Sequence, residues 1–164
     1  MLNKYLALGI IWSITLAIIP SAYGRSYMEQ QFSKSMSGNL IRVNLGNLTW
    51  RAYDTQGRVI KSGRVSGGKK YCPDIHRGCR TVTGTFTIYS KKGADCRSTR
   101  FPVGKGGAPM PYCMFFRGGY ALHGSNAVPD YNASHGCVRM PPQDARWLNQ
   151  NYVNVGRTRV SITY

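Results

Sequence analysis

The residues that could carry out chemistry lie in one short stretch of the chain, between Leu122 and Met140. This stretch contains His123-Gly124 and Ser134-His135-Gly136-Cys137-Val138-Arg139. A thiol with imidazoles close by in sequence is what a cysteine nucleophile needs, because the imidazole can take or share the thiol proton. The pattern therefore predicts acyl transfer through a covalent intermediate on Cys137.

The spacing suggests how these residues would act on a carbonyl group. Gly136 lets the chain turn sharply into Cys137, which would expose the sulfur and the backbone N–H that holds an oxyanion. His123 ends a predicted strand and could face the cysteine across a loop. If the segment is extended, His135 and Arg139 share the face of Cys137, and the planar arginine fork would suit a substrate carboxylate.

The chain has five cysteines, and a secreted cysteine is more often disulfide-bonded than catalytic. Two pairs bracket short segments and would leave Cys137 free: Cys72 with Cys79, and Cys96 with Cys113. The sequence leaves other pairings open. A zinc site is a further alternative, but the spacing matches no common zinc finger and an oxidising compartment favours disulfides. Its candidate ligands are Cys72, His76, Cys79 and Cys96.

The amino-terminal residues predict export from the cytoplasm. Lys4 precedes an apolar run from Leu6 to Ile19, and Pro20-Ser21-Ala22-Tyr23-Gly24 supplies the small residues of a signal peptidase site. We therefore expect a signal peptide at residues 1–24. An uncleaved membrane anchor is the alternative, since the apolar stretch is just long enough to span a bilayer. Either outcome places the rest of the chain outside the cytoplasm, where thiols tend to oxidise.

The elements that must position the site are mostly strands. After a flexible polar lead-in at residues 25–40, a single domain is expected at 41–164. Apolar residues alternate with polar ones, as in strands with one buried face, at Ile41–Leu45, Leu48–Ala52, Val59–Val65, Thr83–Tyr89 and Arg159–Thr163. Two further segments, Met114–Phe116 and Tyr120–His123, flank a Gly118-Gly119 turn. One helix is predicted after Cys137, where Pro141-Pro142 set the entry and Ala145 and Leu148 follow at helical spacing. The fold class is therefore mainly β with one principal helix.

The charge allows a class of function other than an enzyme. The 164 residues include 22 Lys plus Arg against 6 Asp plus Glu, a net charge of +16 that becomes +15 when the signal peptide removes Lys4. A non-catalytic basic protein that binds wall polymers, membrane or nucleic acid would fit this charge. However, no run of five basic residues occurs, and such a protein gives no reason for the Ser-His-Gly-Cys arrangement. We therefore expect no nucleic-acid partner.

The site residues resemble the signature of the L,D-transpeptidase catalytic domain, the YkuD-like domain of bacterial cell-wall enzymes. The resemblance extends over about Ile41 to Tyr164. Thr81-Val82-Thr83-Gly84-Thr85-Phe86 is similar to the family's Thr-Pro-Thr-Gly-x-Phe segment, with Val82 in place of proline, and Met110 to Phe116 is similar to the strand before the first histidine. The resemblance implies a β-sandwich of mixed and antiparallel sheets with one principal helix after the catalytic cysteine.

The resemblance also implies a role for each site residue. The nucleophile, Cys137, would attack the carbonyl between the third and fourth residues of a peptidoglycan stem tetrapeptide, releasing D-alanine and forming a thioester. His123 would act as the general base and later as the proton donor. The nucleophile and oxyanion site would be supported by His135 and Gly136, and substrate would be held by Arg139 and Ser134. No metal or organic cofactor is implied, since thiol and imidazole suffice.

The identity of the acceptor stays open at this level. An amine on a second stem would give a 3-3 cross-link, and some relatives use a lipoprotein lysine or another amine. Water would instead make the protein an L,D-carboxypeptidase or peptidoglycan hydrolase with the same residues. In each case the partners would be stem peptides, and the protein would lie in the periplasm or cell envelope.

Overall fold

The computed structural model describes residues 38–164. The predicted signal peptide and residues 25–37 of the predicted lead-in lie outside the described residues. In the described part, two sheets carry the fold. The first contains β1 (Leu40–Asn44), β2 (Thr49–Tyr53), β3 (Val59–Arg64), β4 (Gly84–Thr87) and β9 (Arg159–Thr163). The second contains β5 (Ser90–Lys91), β6 (Met114–Arg117), β7 (Tyr120–Gly124) and β8 (Val138–Met140).

Both sheets are mixed. The strand order is β3-β2-β1-β9-β4 in the first and β5-β6-β7-β8 in the second. Parallel pairing occurs between β1 and β9 and between β7 and β8, and the other neighbours are antiparallel. The predicted mainly β fold is confirmed, and β1 begins at Leu40, one residue before the predicted domain start.

The helical segments are short. The helix α1 spans Pro142–Trp147, and a π-helical turn, Leu148–Tyr152, follows it directly. Pro142 suits the first helical position because its missing N–H has no intrahelical partner there. The predicted helix after Cys137 is therefore confirmed. A 3₁₀ turn at Pro73–Ile75 lies within the loop between β3 and β4. None of the helices among residues 38–164 is long and apolar enough to cross a membrane.

One hydrophobic core lies between the sheets. It receives fully buried side chains from both sheets and from the helical segment, among them Ile41, Trp50, Met114, Leu122 and Leu148. Alternation along strands such as β2 and β9 contributes to this arrangement, because residues two apart point to the same face. The parallel pair β7 and β8 packs against this core, with Leu122 opposite Val138 and both side chains fully buried.

Two disulfides close loops on the second-sheet side of the chain. Cys72 is bonded to Cys79, and Cys96 is bonded to Cys113. These are the pairings that the bracketing pattern suggested. Their sulfurs have no thiolate left to offer a metal ion, so the zinc alternative loses its main ligands.

Candidate active site

The parallel pair β7 and β8 brings the two halves of the motif together. In their register His123 lies opposite Arg139, and Cys137 directly precedes β8. A cleft of about 460 Å³ opens there and is lined by five of the predicted site residues: Cys137, His123, His135, Ser134 and Arg139. Gly136, the sixth, forms the turn between two of them.

The free thiol of the described chain belongs to Cys137, which is partly exposed in the cleft. Its Sγ lies 3.5 Å from the carbonyl oxygen of Gly119. Burial raises the pKa of the Cys137 thiol, and a hydrogen bond with the Ala121 backbone and the charge of Arg139 offset part of this rise. The resting sulfur is therefore a protonated thiol at neutral pH, and it needs a base to become a nucleophile.

The imidazole of His123 is buried and held in one tautomer. Its Nδ1 lies 2.9 Å from the carbonyl oxygen of Gly124, and because a carbonyl only accepts, Nδ1 carries the proton. Burial, opposed by the Gly124 hydrogen bond and aided by the charge of Arg139, lowers the pKa of His123 to about 4. At neutral pH the ring is uncharged and its Nε2 has a free lone pair, as a general base requires.

The turn into Cys137 depends on Gly136. Its φ is +128°, a conformation that side chains rarely adopt, and a Cβ there would lie 2.7 Å from the Tyr120 ring. The Gly136 N–H donates to Ser134 Oγ at 3.0 Å, and the Ser134 hydroxyl in turn donates to the Cys137 carbonyl. These two hydrogen bonds of the buried Ser134 side chain hold the backbone turn that carries the Cys137 thiol.

Thr81 is a site residue to which the sequence reasoning gave no role. Its buried hydroxyl donates to the Gly136 carbonyl at 2.7 Å and accepts the Gly68 N–H at 2.9 Å. It therefore fixes the carbonyl side of the turn, as Ser134 fixes its amide side. The available signal was its place at the start of the Thr-Val-Thr-Gly segment.

The second histidine is held from two directions. His135 Nε2 lies 2.7 and 3.0 Å from the two carboxylate oxygens of Asp74, and its ring packs against Phe101, with centroids 4.5 Å apart and the planes tilted by 31°. Burial acts to raise the pKa of Asp74, but the hydrogen bond and charge of His135 outweigh it, so this pKa lies below its usual value. Asp74 and Phe101 come from the two disulfide-closed loops, far from His135 in sequence.

One group of metal-ligand side chains occurs in the described part of the chain. Ligand atoms of Cys72, Asp74 and His135 lie within 4.8 Å of one another. The Cys72 sulfur is already bonded to Cys79, and the other two groups hydrogen-bond each other. The arrangement is thus a structural contact between the disulfide loop and the segment before Cys137.

The model of the L,D-transpeptidase catalytic domain, YkuD, matches residues 38–162. The chain belongs to this family. None of the curated protein sequences matches it significantly. The mixed sheets and the helix after Cys137 are the fold that the motif resemblance implied, and that expectation is confirmed.

Solved structures of L,D-transpeptidases are similar to this chain. The enzyme from Xylanimonas cellulosilytica is 31% identical, with 77% of this chain and 60% of that chain covered and a TM-score of 0.67. The Enterococcus faecium enzyme, a cysteine-to-serine mutant, is 25% identical, with 76% and 49% covered and a TM-score of 0.61. The one from Mycobacterium smegmatis is 21% identical, with 77% and 58% covered and a TM-score of 0.62, and shows the fold alone. The chain thus spans between half and three-fifths of the structures it matches.

Proposed function

We propose that this protein is a cysteine-dependent L,D-transpeptidase that acts on peptidoglycan stem peptides. The observation that supports this most strongly is the free thiol of Cys137 in the same cleft as the neutral imidazole of His123. Membership of the L,D-transpeptidase family gives this pair its reaction class. The substrate and the residue roles below are part of the proposal.

The first half-reaction forms the acyl-enzyme. The thiol of Cys137 transfers its proton to His123 Nε2 as the sulfur attacks the carbonyl carbon between the third and fourth residues of a stem tetrapeptide. The tetrahedral intermediate collapses, the carbon–nitrogen bond breaks, and the departing D-alanine amine takes the proton from His123. A thioester between Cys137 and the tripeptide remains. Both groups are neutral before and after this step, as their pKa directions favour.

The oxyanion is stabilised by backbone N–H groups at the turn. The Gly136 N–H already donates to Ser134 Oγ at 3.0 Å, so we assign this role to the N–H of Cys137 itself. Arg139 lines the same cleft and holds a substrate carboxylate through its planar fork. These two contacts orient the carbonyl carbon toward the sulfur.

The second half-reaction returns the enzyme to its starting state. An amine of a second stem attacks the thioester and passes a proton to His123, the carbon–sulfur bond breaks, and the sulfur recovers the proton. The product is a 3-3 cross-link. Water in place of the amine would give a tripeptide, the product of an L,D-carboxypeptidase, through the same acyl-enzyme.

A location in the cell envelope accords with this function. Both disulfides require an oxidising compartment, and peptidoglycan lies outside the cytoplasm. The signal peptide predicted at residues 1–24 would deliver the chain there. The net charge of +15 that remains after removal of the signal peptide would favour retention among anionic wall polymers.

Intact-protein mass spectrometry tests the first half-reaction. The purified protein is mixed with a stem tetrapeptide and quenched in acid, and the adduct is located by peptide mapping. We expect a tripeptide acyl group on Cys137 together with released D-alanine, and neither with Cys137→Ala. An adduct on another residue, or D-alanine release by Cys137→Ala, would refute the assigned nucleophile.

A further inference from the structure

The two disulfide-closed loops form much of the mouth of the cleft. The loop closed by Cys72 and Cys79 contributes Arg77 to its lining. The loop closed by Cys96 and Cys113 contributes Arg97 and Arg100, and Lys92 lies just before this loop. All four side chains belong to exposed residues. We call these four cations, Arg77, Lys92, Arg97 and Arg100, the cationic mouth.

No carboxylate within residues 38–164 forms an ion pair with the cationic mouth. The ion pairs in this part of the chain join Arg58 to Asp54, Lys61 to Asp144, and His135 to Asp74. The described lining of the cleft contains no aspartate or glutamate. Asp74, on the same loop as Arg77, is engaged by His135.

The mouth retains donors for a ligand. The Arg97 guanidinium uses one nitrogen, Nη1, to donate to the Gly107 carbonyl at 2.6 Å, which fixes its position and leaves its other N–H groups. The guanidinium of Arg100 lies 5.8 Å from the centre of the Phe101 ring, the ring that packs against His135. Phe101 thus connects a cation of the mouth to a residue two positions before Cys137.

Like charges around a concave opening raise the electrostatic potential there and favour an anion inside it. Guanidinium groups in particular match the planar geometry of a carboxylate. A stem peptide with internal carboxyl groups would bring negative charge into this opening, and conversion of those groups to carboxamides would remove that charge. Binding at the cationic mouth would therefore depend on whether those groups are charged.

We propose that the cationic mouth selects stem peptides whose internal carboxyl groups are free, and discriminates against the same peptides when those groups are carboxamides. This inference rests on the proposed transpeptidase function and adds a preference within its substrate class. The selecting residues are Arg77, Lys92, Arg97 and Arg100, which lie outside the catalytic motif.

The test compares two synthetic tetrapeptides that differ only in the internal carboxyl groups, free in one and carboxamides in the other. D-alanine release gives kcat and KM for each. We expect kcat/KM to be about tenfold higher for the carboxylate peptide, mainly through KM, because several exposed pairs each contribute a small part. Raising the salt concentration should shrink the preference, since exposed charges are screened.

Two variants locate the effect, and one controls for it. Arg97→Gln and Arg100→Gln should each raise KM for the carboxylate peptide about threefold and leave KM for the carboxamide peptide unchanged. Lys105→Gln is the matched control, because Lys105 is an exposed cation on the same disulfide-closed loop but does not line the cleft. It should leave both values unchanged. Thermal unfolding of each variant shows that the fold is intact.

Each possible result either supports or overturns the proposed selection. Equal kcat/KM for the two peptides would overturn the selection and leave the transpeptidase function standing. An equal loss of preference in Lys105→Gln would also overturn it, because net charge and not the mouth would then be responsible. If neither peptide releases D-alanine, the transpeptidase function and the inference both fail. A salt-sensitive preference that is reduced by Arg97→Gln and Arg100→Gln alone would establish the cationic mouth.

Discussion

His135 and Asp74 form a bidentate contact, with Nε2 of the histidine 2.7 and 3.0 Å from the two carboxylate oxygens. The contact ties the loop closed by the Cys72–Cys79 disulfide to a residue two positions before Cys137. On the loop closed by Cys96 and Cys113, Phe101 packs against the same imidazole. Both disulfide loops therefore hold one histidine of the site, which gives the disulfides a consequence for chemistry as well as for stability.

Removing the carboxylate should loosen this histidine. We expect Asp74→Asn to lower kcat about tenfold with a smaller change in KM, because small displacements of the segment before the nucleophile misalign the reacting atoms. Steady-state D-alanine release measures both constants. Asp54→Asn is the control, since it removes a carboxylate from another ion pair, on the β2–β3 turn of the first sheet. If the two variants behave alike, Asp74 has no positioning role.

The hydroxyl of Thr81 should be needed both for stability and for the acylation of Cys137. Thr81→Val keeps the volume but leaves the Gly136 carbonyl and the Gly68 N–H without their bonds of 2.7 and 2.9 Å. We expect a loss of about 1–3 kcal/mol in the free energy of unfolding, measured in urea, because buried polar groups lose their partners. The rate of Cys137 acylation should fall as well. Thr81→Ser retains the hydroxyl and should restore the rate; a rate as low as that of Thr81→Val would contradict this role.

The pH dependence should report a neutral base. Because burial lowers the pKa of His123 from 6.5 to about 4, the ring stays unprotonated as the pH falls from 7 to 5. We expect kcat/KM to hold over that range and to fall only as the pH approaches 4, where His123 takes up a proton and can no longer accept one from Cys137. A decline with a midpoint near 6.5 would show an imidazole with an ordinary pKa.

Burial of Cys137 should slow the direct alkylation of its sulfur. The pKa of the Cys137 thiol is raised above its ordinary value of 9.0, so little thiolate exists at neutral pH. In the native, non-reduced protein, iodoacetamide should modify Cys137 alone, and the rate should still be rising with pH at 9. Mass mapping gives the site and the rate. A rate that levels off near pH 7 would indicate a stabilised thiolate instead.

Each disulfide should stabilise the fold according to the length of the loop it closes. The sequence separations are 7 for Cys72–Cys79 and 17 for Cys96–Cys113. On a chain-entropy basis, replacing both cysteines of a pair by serine should cost about 2.5 and about 3 kcal/mol respectively. Urea unfolding measures these losses. Both replacements should also lower activity, because Asp74 and Phe101, one on each loop, contact His135; unchanged activity in either variant would separate that loop from the site.

The sequence was sufficient to predict the strands with one buried face, and it also contained the site motif. Alternation marked β1 and β2, which present alternate residues to the core. The strand β7 has four consecutive buried residues, and the turn before it, not a period, marked it. The strand β8, Val138–Met140, has only three residues, too few for a period to be recognised, although it places Arg139 opposite His123. The predicted helix divides into α1 and a π-helical turn at Leu148, a change of hydrogen bonding that side-chain spacing does not reveal.

The supporting contacts of the site were not predictable. Asp74 is 61 residues from His135, and Thr81 is 55 residues from Gly136. Thr81 had a local signal in the Thr-Val-Thr-Gly segment but nothing indicated its partner, and Asp74 had no signal, because each contact joins segments that are distant in sequence. Sequence spacing therefore predicted Cys137 and His123 as site residues, and they line one cleft, whereas the groups that hold their surroundings in place required the tertiary structure.

Product analysis with the nucleophile variant tests the central claim most directly. The purified protein and Cys137→Ala, shown by circular dichroism to be folded, are each incubated with tetrapeptide muropeptides, and the products are separated by chromatography and identified by mass spectrometry. We expect 3-3 cross-linked dimers and free D-alanine with the wild-type protein and neither with Cys137→Ala. Tripeptide alone at every acceptor concentration would make the protein a hydrolase, and dimers formed by Cys137→Ala would contradict catalysis by this thiol.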